Sequence, residues 1–502
     1  MLAAVPSATL LGVSGHPVHV EVHVAQGLPS FSVVGLPDAS CREARDRVRA
    51  AVVSSGFTFP LQRITVNLAP THLRKVGGGL DLAIAVALLA ASDQFPGRHL
   101  AGVGLVGELG LDGRVRSVVG TLPLCEAVRS KIVVVPPAGL AEARLVRPDA
   151  VAAPDLRSVI DRLVGAEPWP DVPPPPPLGP PVPAPDLDEV QGQPVGRLAL
   201  ELAAAGGHPL LMVGPPGAGK TMLAERLPGL LPDLERTDAL EVSRVHSAAG
   251  ELRVADVSTV RPPFRSPHHT ASLVSLVGGG SGAVRPGEVS LASGGVLFLD
   301  ELGEFPARHL DALRQPLENG VIRISRAGIG ADLPARFLLV AATNPCPCGR
   351  GVRGPCRCST AQVDRYRRRL SGPLLDRFDL GLWVDPPDPE GAFVAGAAGE
   401  GSAEVRRRVA RAREAAARRG VRVNRELRGA RLERSAPLTD AGRVLLRRRL
   451  GSGALTMRGA QRVRAVALTV LDLAGREPPV GVDELELALC LRAQDEVLGT
   501  AA

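Results

Sequence analysis

The chain has 502 residues and a mass of 52.3 kDa, which suggests about three domains at ~100–200 residues each. Hydrophobic residues make up 45% and charged residues 22%, so the chain can bury a core and is not mainly disordered. Its longest apolar run, Leu82–Ala91, is half of what a membrane span needs, and the N-terminus has no basic segment typical of a signal peptide. Seven cysteines, four of them within residues 346–358, are not typical of a secreted disulfide framework. We therefore expect a soluble, cytoplasmic protein with no membrane partner.

Arginine supplies almost all of the positive charge. Of the 59 basic residues only Lys75, Lys131 and Lys220 are lysines, which a codon bias towards Arg, Ala, Gly and Pro explains. Between Ala361 and Val470 there are 24 Arg against 12 Asp and Glu, so this segment carries +12 whereas the whole chain carries +7. Such a basic block favours a polyanionic partner, most simply nucleic acid, but a solvated arginine-rich helix face explains it equally well.

Residues 1–165 predict an α/β domain. Alternating apolar residues at 16–24 and 63–70 are typical of strands. A continuous apolar run at 79–92 predicts a buried helix, and a shorter run at 131–137 predicts a buried strand.

Proline-rich segments delimit a second and a third domain. The linker at 166–186 cannot hold helix or sheet hydrogen bonds, because proline has no N–H. Residues 187–388 alternate helical segments with apolar strands, which predicts a parallel sheet covered on both faces. After a second linker at 389–401, residues 402–502 are predicted to be helical, and the first helix, 402–420, begins at a Ser N-cap and stops at a Gly.

A Gly-rich phosphate-binding loop follows the first strand of the second domain. Its sequence, GPPGAGKT, fits G-x-x-x-x-G-K-[ST] in the strand-then-helix context that this motif requires. The glycines let backbone N–H groups wrap the phosphates of ATP, Lys220 would reach the β- and γ-phosphates, and Thr221 would hold Mg²⁺. The predicted nucleotide-binding residues are Gly214, Pro215, Pro216, Gly217, Ala218, Gly219, Lys220, Thr221 and Asp300.

Two later strand ends carry polar residues suited to hydrolysis. Asp300 and Glu301 follow an apolar strand, and an acid there lies at the nucleotide edge of a parallel sheet. We expect Asp300 to complete the Mg²⁺ shell and Glu301 to polarise the attacking water. Thr343 and Asn344 end the next strand, where Asn344 can orient that water.

Two arginines are candidates for contact with the γ-phosphate. Arg377 follows a helical Leu-Leu-Asp and can project into a neighbouring subunit as an arginine finger, or can pair with Asp376 or Asp379. Arg458 starts a helix of the third domain and can reach the γ-phosphate from there, or can be one arginine among many.

Four cysteines form a C-x-C-x₇-C-x-C pattern. Thiolates on one short Gly-rich loop can enclose a tetrahedral Zn²⁺, although C-x-C is less diagnostic of zinc than C-x₂-C, and reduced structural thiols or a redox-labile pair remain open. The candidate zinc ligands are Cys346, Cys348, Cys356 and Cys358. The other three cysteines, expected to be buried apolar residues, are Cys41, Cys125 and Cys490.

The segment from 261 to 295 is a candidate for contact with DNA phosphates or a subunit interface through Arg265, His268, His269 and Arg285. The two histidines are adjacent and should face opposite ways in an extended segment, which argues against a shared metal. A structural loop that turns at its three consecutive glycines is the alternative.

Taken together, GPPGAGKT, VLFLDE, AATNPCPCG, SGPLLDRFD and LTMRGAQRV resemble an AAA+ ATPase of the magnesium-chelatase-like branch. The stretches 27–51, 264–272 and 285–305 narrow the resemblance, which runs over nearly the whole chain, to the ComM/YifB family. It implies a ring-forming, hexameric motor that hydrolyses ATP with Mg²⁺ and acts as a helicase in branch migration of recombining DNA. It also implies that Arg377 is the finger acting in trans and that Arg458 is the sensor of a C-terminal lid.

The N-terminal domain resembles the protease domain of Lon, a ribosomal-protein-S5-like α/β fold. The Lon pattern needs a nucleophilic Ser and a later Lys, whereas this chain has Gly79 and Leu122 near those positions. Since a dyad hydrolase needs both a hydroxyl and a base, we expect no peptidase activity.

The favoured hypothesis is therefore an ATP-driven DNA motor in recombination or natural transformation. Its expected partners are further copies of the chain in a hexameric ring, single-stranded or branched DNA, and recombination proteins. The alternative is a magnesium-chelatase-type ATPase subunit that remodels a protein or tetrapyrrole-metallating partner. A D-x-S-x-S metal-adhesion motif, which the second subunit of that complex would carry, is not found.

Overall fold

A computed structural model describes residues 1–170, 185–252, 261–280, 284–326, 329–350, 356–370, 372–386 and 399–492. Most of both predicted linkers lies outside these residues. None of the described helices combines the length and the apolar character needed to cross a membrane.

The N-terminal region is α/β, as the sequence predicts. Its strands are β1 (Leu2–Leu11), β2 (Ser14–Ala25), β3 (Ser30–Val34), β4 (Arg63–Ala69), β5 (Val103–Leu105), β6 (Glu108–Leu109), β7 (Val115–Arg116), β8 (Ile132–Val135) and β9 (Ala150–Ala152). Its helices are α1 (Ala39–Ser54), α2 (Asp81–Ala91), α3 (Thr121–Ala127), α4 (Leu140–Arg144) and α5 (Leu156–Leu163). Every residue of α2 is buried, which explains its unbroken apolar sequence.

Two sheets organise this region. The larger has the order β1-β2-β4-β3, in which β3 pairs parallel to β4 and the other neighbours are antiparallel. The smaller, β5-β8-β9, is parallel, and β6 pairs with β7 as a short hairpin.

The central region is built on a parallel sheet. Its strands are β10 (Leu210–Val213), β11 (Phe264–Arg265), β12 (Val296–Leu299), β13 (Val321–Arg326), β14 (Ile329–Pro334), β15 (Leu338–Thr343) and β16 (Leu380–Trp383). Its helices are α6 (Pro194–Gly206), α7 (Lys220–Leu230), α8 (Arg236–Ala249), α9 (Leu273–Val277), α10 (Glu288–Leu291), α11 (Ala307–Ala312), α12 (Arg314–Asn319), α13 (Thr360–Arg369) and α14 (Gly372–Leu375). The strand order is β11-β12-β15-β10-β16, all parallel, and β13 with β14 forms a separate antiparallel hairpin. The carboxyl ends of β10, β12 and β15 therefore meet at one edge of the sheet.

The C-terminal region is helical, as predicted. Its helices are α15 (Ser402–Arg418), α16 (Gly429–Ser435), α17 (Asp440–Gly451), α18 (Met457–Leu473) and α19 (Val482–Cys490). Single turns of 3-10 helix among the described residues lie at Gly97–Leu100, Pro137–Gly139, Leu187–Glu189, Leu302–Glu304 and Asn424–Glu426. One apolar cluster runs from the central sheet into these helices, so the two regions share a core.

Two predictions about the C-terminal region are wrong. Gly401, not Ser402, is the N-cap of α15, because Ser402 lies inside the helix and its Oγ accepts a hydrogen bond from the N–H of Leu187 at 2.7 Å. The N–H of Ser402, at the start of the helix, donates a hydrogen bond to the carboxylate of Asp186 at 2.8 Å. Cys490 is exposed at the end of α19, whereas Cys41 and Cys125 are buried as predicted.

A buried polar network joins the C-terminal helices to the central region. The carboxylate of Asp379 lies 3.1 Å from Nδ1 of His208 and 3.5 Å from Nε of both Arg425 and Arg462. The other ring nitrogen of His208 lies 2.9 Å from Oγ1 of Thr469. Burial alone would raise the pKa of Asp379, but the hydrogen bond with His208 and the charges of the two arginines outweigh it and lower this pKa to about 2.

The N-terminal region contacts the central region through α3, α4 and α8. Arg244 forms a bidentate ion pair with Glu126, with N–O distances of 2.6 and 2.8 Å. The N–H of Gly120 donates to the carbonyl of Ser247 at 3.0 Å, and the hydroxyl of Ser247 donates to Glu142. Burial raises the pKa of Glu142.

Candidate nucleotide site

The loop between β10 and α7 has a backbone that only glycine adopts freely. Gly217 and Gly219 have φ angles of +77° and +89°, in the left-handed region. A Cβ on Gly214 would lie 2.3 Å from the carbonyl oxygen of Val384. The glycine spacing of the motif thus follows from the geometry of the loop, which leads directly into the N-terminus of α7.

Lys220 folds back over this loop. Its Nζ donates to the carbonyls of Gly214 at 2.8 Å and Pro215 at 2.9 Å, and to Oδ1 of Asn344 at 3.2 Å. Burial lowers its pKa, and the charge of Asp300 opposes that shift. A phosphate oxygen is a stronger acceptor for an ammonium group than a carbonyl, so this side chain can exchange loop carbonyls for phosphate.

Thr221 and Asp300 meet at the neighbouring strand ends. The hydroxyl of Thr221 donates to Oδ2 of Asp300 at 2.9 Å, and Oδ1 of Asp300 accepts the N–H of Glu301 at 2.8 Å. Hydroxyl and carboxylate oxygens are the ligands that Mg²⁺ prefers, so this pair fits the cation that accompanies ATP.

Glu301 is held by a histidine. Its φ is +51°, an uncommon value for a residue with a side chain, and its Oε2 lies 3.0 Å from Nδ1 of His269. The prediction that the two histidines face opposite ways is wrong, since the ring centroids of His268 and His269 are 4.1 Å apart. Their segment is a turn after β11 rather than a strand, so their side chains do not alternate.

Arg265 is neutralised within the chain. It pairs with Glu288 at 2.6 Å and with Glu251 at 3.0 Å, so its contact with DNA phosphates or a subunit interface stays a prediction. Arg285 and His268 are exposed.

Asn344 lies beside Lys220 at the end of β15, and Thr343 before it is tied to α13. The hydroxyl of Tyr366, which is 5% exposed, lies 3.0 Å from Oγ1 of Thr343. Pro216 through Met222, Asp300, Glu301, Thr343 and Asn344 line a cavity of about 360 Å³. The structure therefore brings the phosphate-binding loop, both acids and Asn344 around one space.

Arg377 and Arg458 lie elsewhere and share one partner. Nη2 of Arg377 and Nη2 of Arg458 donate to the same Oε1 of Glu318, at 2.6 and 2.7 Å. The hydrogen bond from Arg458 contributes most to a lowered pKa of Glu318. Neither arginine is among the described residues that line the cavity. Arg377 thus pairs with Glu318 on α12 and not with a neighbouring aspartate. Asp379 belongs to the buried network around His208.

The four clustered cysteines converge. Their Sγ atoms all lie within 4.8 Å of one another, and the cluster begins two residues after Asn344. The Sγ of Cys346 is 3.3 Å from that of Cys348 and 3.7 Å from that of Cys356.

Sequence reasoning missed two residues of this region, Glu318 and Tyr366, and it missed the contact of His269 with Glu301. Tyr366 had a signal, as the single tyrosine of the chain. The pairing of Glu318 with two arginines and that of His269 with Glu301 arise only through the fold, so no local pattern indicates these contacts.

Known families match all three regions. Residues 186–391 match the family described as magnesium chelatase, subunit ChlI, residues 20–138 match subunit ChlI of Mg-chelatase, and residues 399–492 match the C-terminal part of the same subunit. The competence protein ComM of Haemophilus influenzae is 43% identical over 99% of this chain and 98% of its own length. The chain belongs to the ComM/YifB family of magnesium-chelatase-like AAA+ ATPases.

Other members of the ComM/YifB family match over similar lengths. YifB of Escherichia coli is 43% identical over 99% of this chain and 98% of its own. An uncharacterized protein of Mycobacterium tuberculosis is 45% identical, over 97% of each chain. The family resemblance predicted from the motifs is confirmed.

Proposed function

We propose that the chain is an ATP-hydrolysing motor that assembles as a hexameric ring and acts on DNA, as a helicase or in branch migration during recombination or natural transformation. The observation that carries the ATPase part is the convergence of Lys220, Thr221, Asp300, Glu301 and Asn344 around one cavity. The link to competence rests on the name of the H. influenzae relative.

The chemistry follows from the donors and acceptors at this edge of the sheet. The loop amides and Lys220 bind the phosphates of ATP, and Thr221 with Asp300 takes the Mg²⁺ that accompanies them. Glu301 accepts a proton from the attacking water, and Asn344 orients that water. The contact with His269 fixes the direction in which the carboxylate of Glu301 points.

The ring completes the site with a charge that one copy does not provide. Arg377 does not line the cavity of its own chain, which favours its action in the site of a neighbouring subunit. Arg458 begins α18, so a movement of the C-terminal helices would bring it to the γ-phosphate. Both arginines would then exchange Glu318 for phosphate.

The DNA part is supported by exposed arginines on the C-terminal helices. On α17, Arg447 and Arg448 are exposed, and neither forms an ion pair with any described residue. Polyanions bind such surfaces through release of counterions.

Steady-state ATP hydrolysis tests the proposal, measured with single-stranded, duplex and four-way-junction DNA and without DNA. Glu301→Gln serves as the blank, since it should bind ATP and not turn it over. Stimulation by single-stranded or branched DNA is expected, followed by strand displacement. If no DNA changes the rate of ATP hydrolysis, the proposed action on DNA is overturned and the chelatase-type alternative is favoured. If the wild-type rate is no higher than that of Glu301→Gln, the proposed ATPase activity is overturned.

A further inference from the structure

Four thiols meet at one point although they come from two ends of a loop. Cys346 and Cys348 follow β15, whereas Cys356 and Cys358 precede α13. The Sγ–Sγ distances between Cys346, Cys348 and Cys356 are 3.3, 3.7 and 3.7 Å. These sulfurs are too far apart for disulfides, whose S–S length is about 2.0 Å.

The distances match a tetrahedral zinc site. Zn–S bonds of about 2.3 Å place sulfurs about 3.8 Å apart at the corners of a tetrahedron, and four thiolates with no open position characterise structural zinc.

The cluster touches the candidate nucleotide site from two sides. Cys346 is buried and only Pro345 separates it from Asn344. Gly349 packs on the phosphate-binding loop, because a Cβ there would lie 2.5 Å from Cδ of Pro216. Beyond the cluster, α13 returns Tyr366 to the hydroxyl of Thr343.

From this arrangement we infer that Cys346, Cys348, Cys356 and Cys358 bind one structural Zn²⁺ that fixes Asn344 and the wall of the phosphate-binding loop. The ion joins the cysteines that follow β15 to those that precede α13. It makes no contact with the reacting atoms, so the four cysteines are positioning residues. This positioning role rests on the proposed ATPase, whereas the metal site does not.

Metal analysis of the untagged full chain, purified without chelators, tests the site. The wild-type chain should carry one equivalent of zinc, and the double variant Cys348→Ser/Cys358→Ser should carry none. Cys490→Ser, at an exposed cysteine outside the cluster, is the matched control and should keep the metal. Replacement of zinc by Co²⁺ should give the intense visible bands of a tetrahedral thiolate site.

A wild-type chain without zinc would overturn the inference, whether its four cysteines titrate as free thiols or as two disulfides. That result does not depend on folding of any variant. It also leaves the proposed ATPase untouched, so the two failures are distinguishable.

The positioning role has its own test. Loss of zinc should lower kcat about 10²-fold, the effect of displacing a positioning group by about 1 Å, and leave the Kd for ATP little changed. Cys358→His, which supplies another zinc ligand, should restore both zinc and turnover where Cys358→Ser does not. Zinc-free chains with wild-type kcat would refute the positioning role.

Discussion

At the scale of single residues, the candidate site depends on side chains that already have partners. Lys220 donates to two loop carbonyls and to Asn344, and Thr221 to Asp300. A phosphate oxygen can replace the acceptors of Lys220, and a cation can coordinate the two oxygens that Thr221 and Asp300 bring together. Nucleotide binding at this site would therefore exchange one set of hydrogen-bond partners of Lys220 for another.

Lys220→Ala should abolish nucleotide binding. The variant loses the ammonium that compensates the phosphate charge, and the effect should appear as the loss of saturable binding of a fluorescent ATP analogue. Lys131→Ala, at an exposed lysine of the N-terminal region, is the control. Normal affinity in Lys220→Ala would contradict the role given to this lysine.

Gly79→Ser should not create a peptidase. Val118 is the nearest neighbour of an added Cβ, at 3.6 Å, so the substitution fits without strain. The hydroxyl would have no base, since the side chain at 122 is a buried leucine. Cleavage of casein or a fluorogenic peptide above the wild-type background would refute this prediction and the expectation of an inactive Lon-like domain.

At the scale of elements, α12, α14 and α18 meet through charge. Glu318 on α12 accepts hydrogen bonds from Arg377, just after α14, and from Arg458, at the start of α18. A second ion pair links the same two segments, because Asp379 lies two residues after Arg377 and Arg462 lies one helical turn after Arg458. The position of the C-terminal helices is thus linked to that of the proposed finger.

Arg377→Ala should retain ATP affinity and lose hydrolysis. An arginine finger contributes about 10³–10⁵ in kcat, so turnover of the assembled ring should approach that of Glu301→Gln. Mixing the two variants gives a decisive readout, because a finger acting in trans lets mixed rings recover activity at some interfaces. Arg45→Ala, whose ion pair is exposed on α1, is the control, and unchanged turnover of Arg377→Ala would reduce the residue to a structural ion pair.

Asp379→Asn should destabilise the fold by about 3–5 kcal/mol at neutral pH, because it leaves His208, Arg425 and Arg462 without their buried anion. The folded pKa of about 2 lies below the unfolded value of about 3.9, so the carboxylate stabilises the fold above pH ~4 and loses this contribution as the pH falls towards 2. Thermal unfolding should therefore show a gap between wild type and variant that narrows below pH ~4. Asp440→Asn, at a carboxylate that is 95% exposed, should change little, and a similar small loss in Asp379→Asn would refute the role of the network.

Local patterns predicted most of the elements, and tertiary partners account for what they missed. The strands β2, β4, β8, β12 and β15 and the helix α2 follow from runs of apolar residues, which record burial directly. The sequence did not predict how α15 is capped, because Asp186 lies 216 residues from Ser402, whose N–H donates a hydrogen bond to its carboxylate. Glu318 was equally hidden, since Arg458 reaches it across 140 residues.

At the scale of the whole molecule, the N-terminal region is attached to the central region by polar contacts at α8 and by apolar packing of Val13, and the arginine-rich C-terminal helices share a core with the sheet. The exposed basic surface of α17 is thus built on the same apolar cluster as the phosphate-binding loop. The proposed binding of a polyanion to α17 would therefore act on a body that includes the nucleotide site.

The double variant Arg447→Glu/Arg448→Glu should weaken DNA binding and reduce its salt dependence. Each lost phosphate contact lowers the slope of log K against log salt by about 0.9 on duplex DNA. Fluorescence anisotropy at several salt concentrations measures the slope, and nucleotide affinity should be retained. Arg45→Glu/Arg49→Glu on α1 is the matched control, and an unchanged slope in the α17 variant would remove this surface from the proposed DNA site.

The scarcity of lysine makes the chain unusual in its side-chain amine chemistry. Lys75 is fully buried, Lys220 is 8% exposed and hydrogen-bonded within its loop, and Lys131 is exposed. Of the three lysine side chains, an acylating reagent therefore finds one open in the folded chain, Lys131 in the N-terminal region. Lys220 would be the next lysine to be acylated, and bound ATP would protect it from the reagent. The extent of this protection, measured by mass spectrometry, would report the occupancy of the nucleotide site without any substitution.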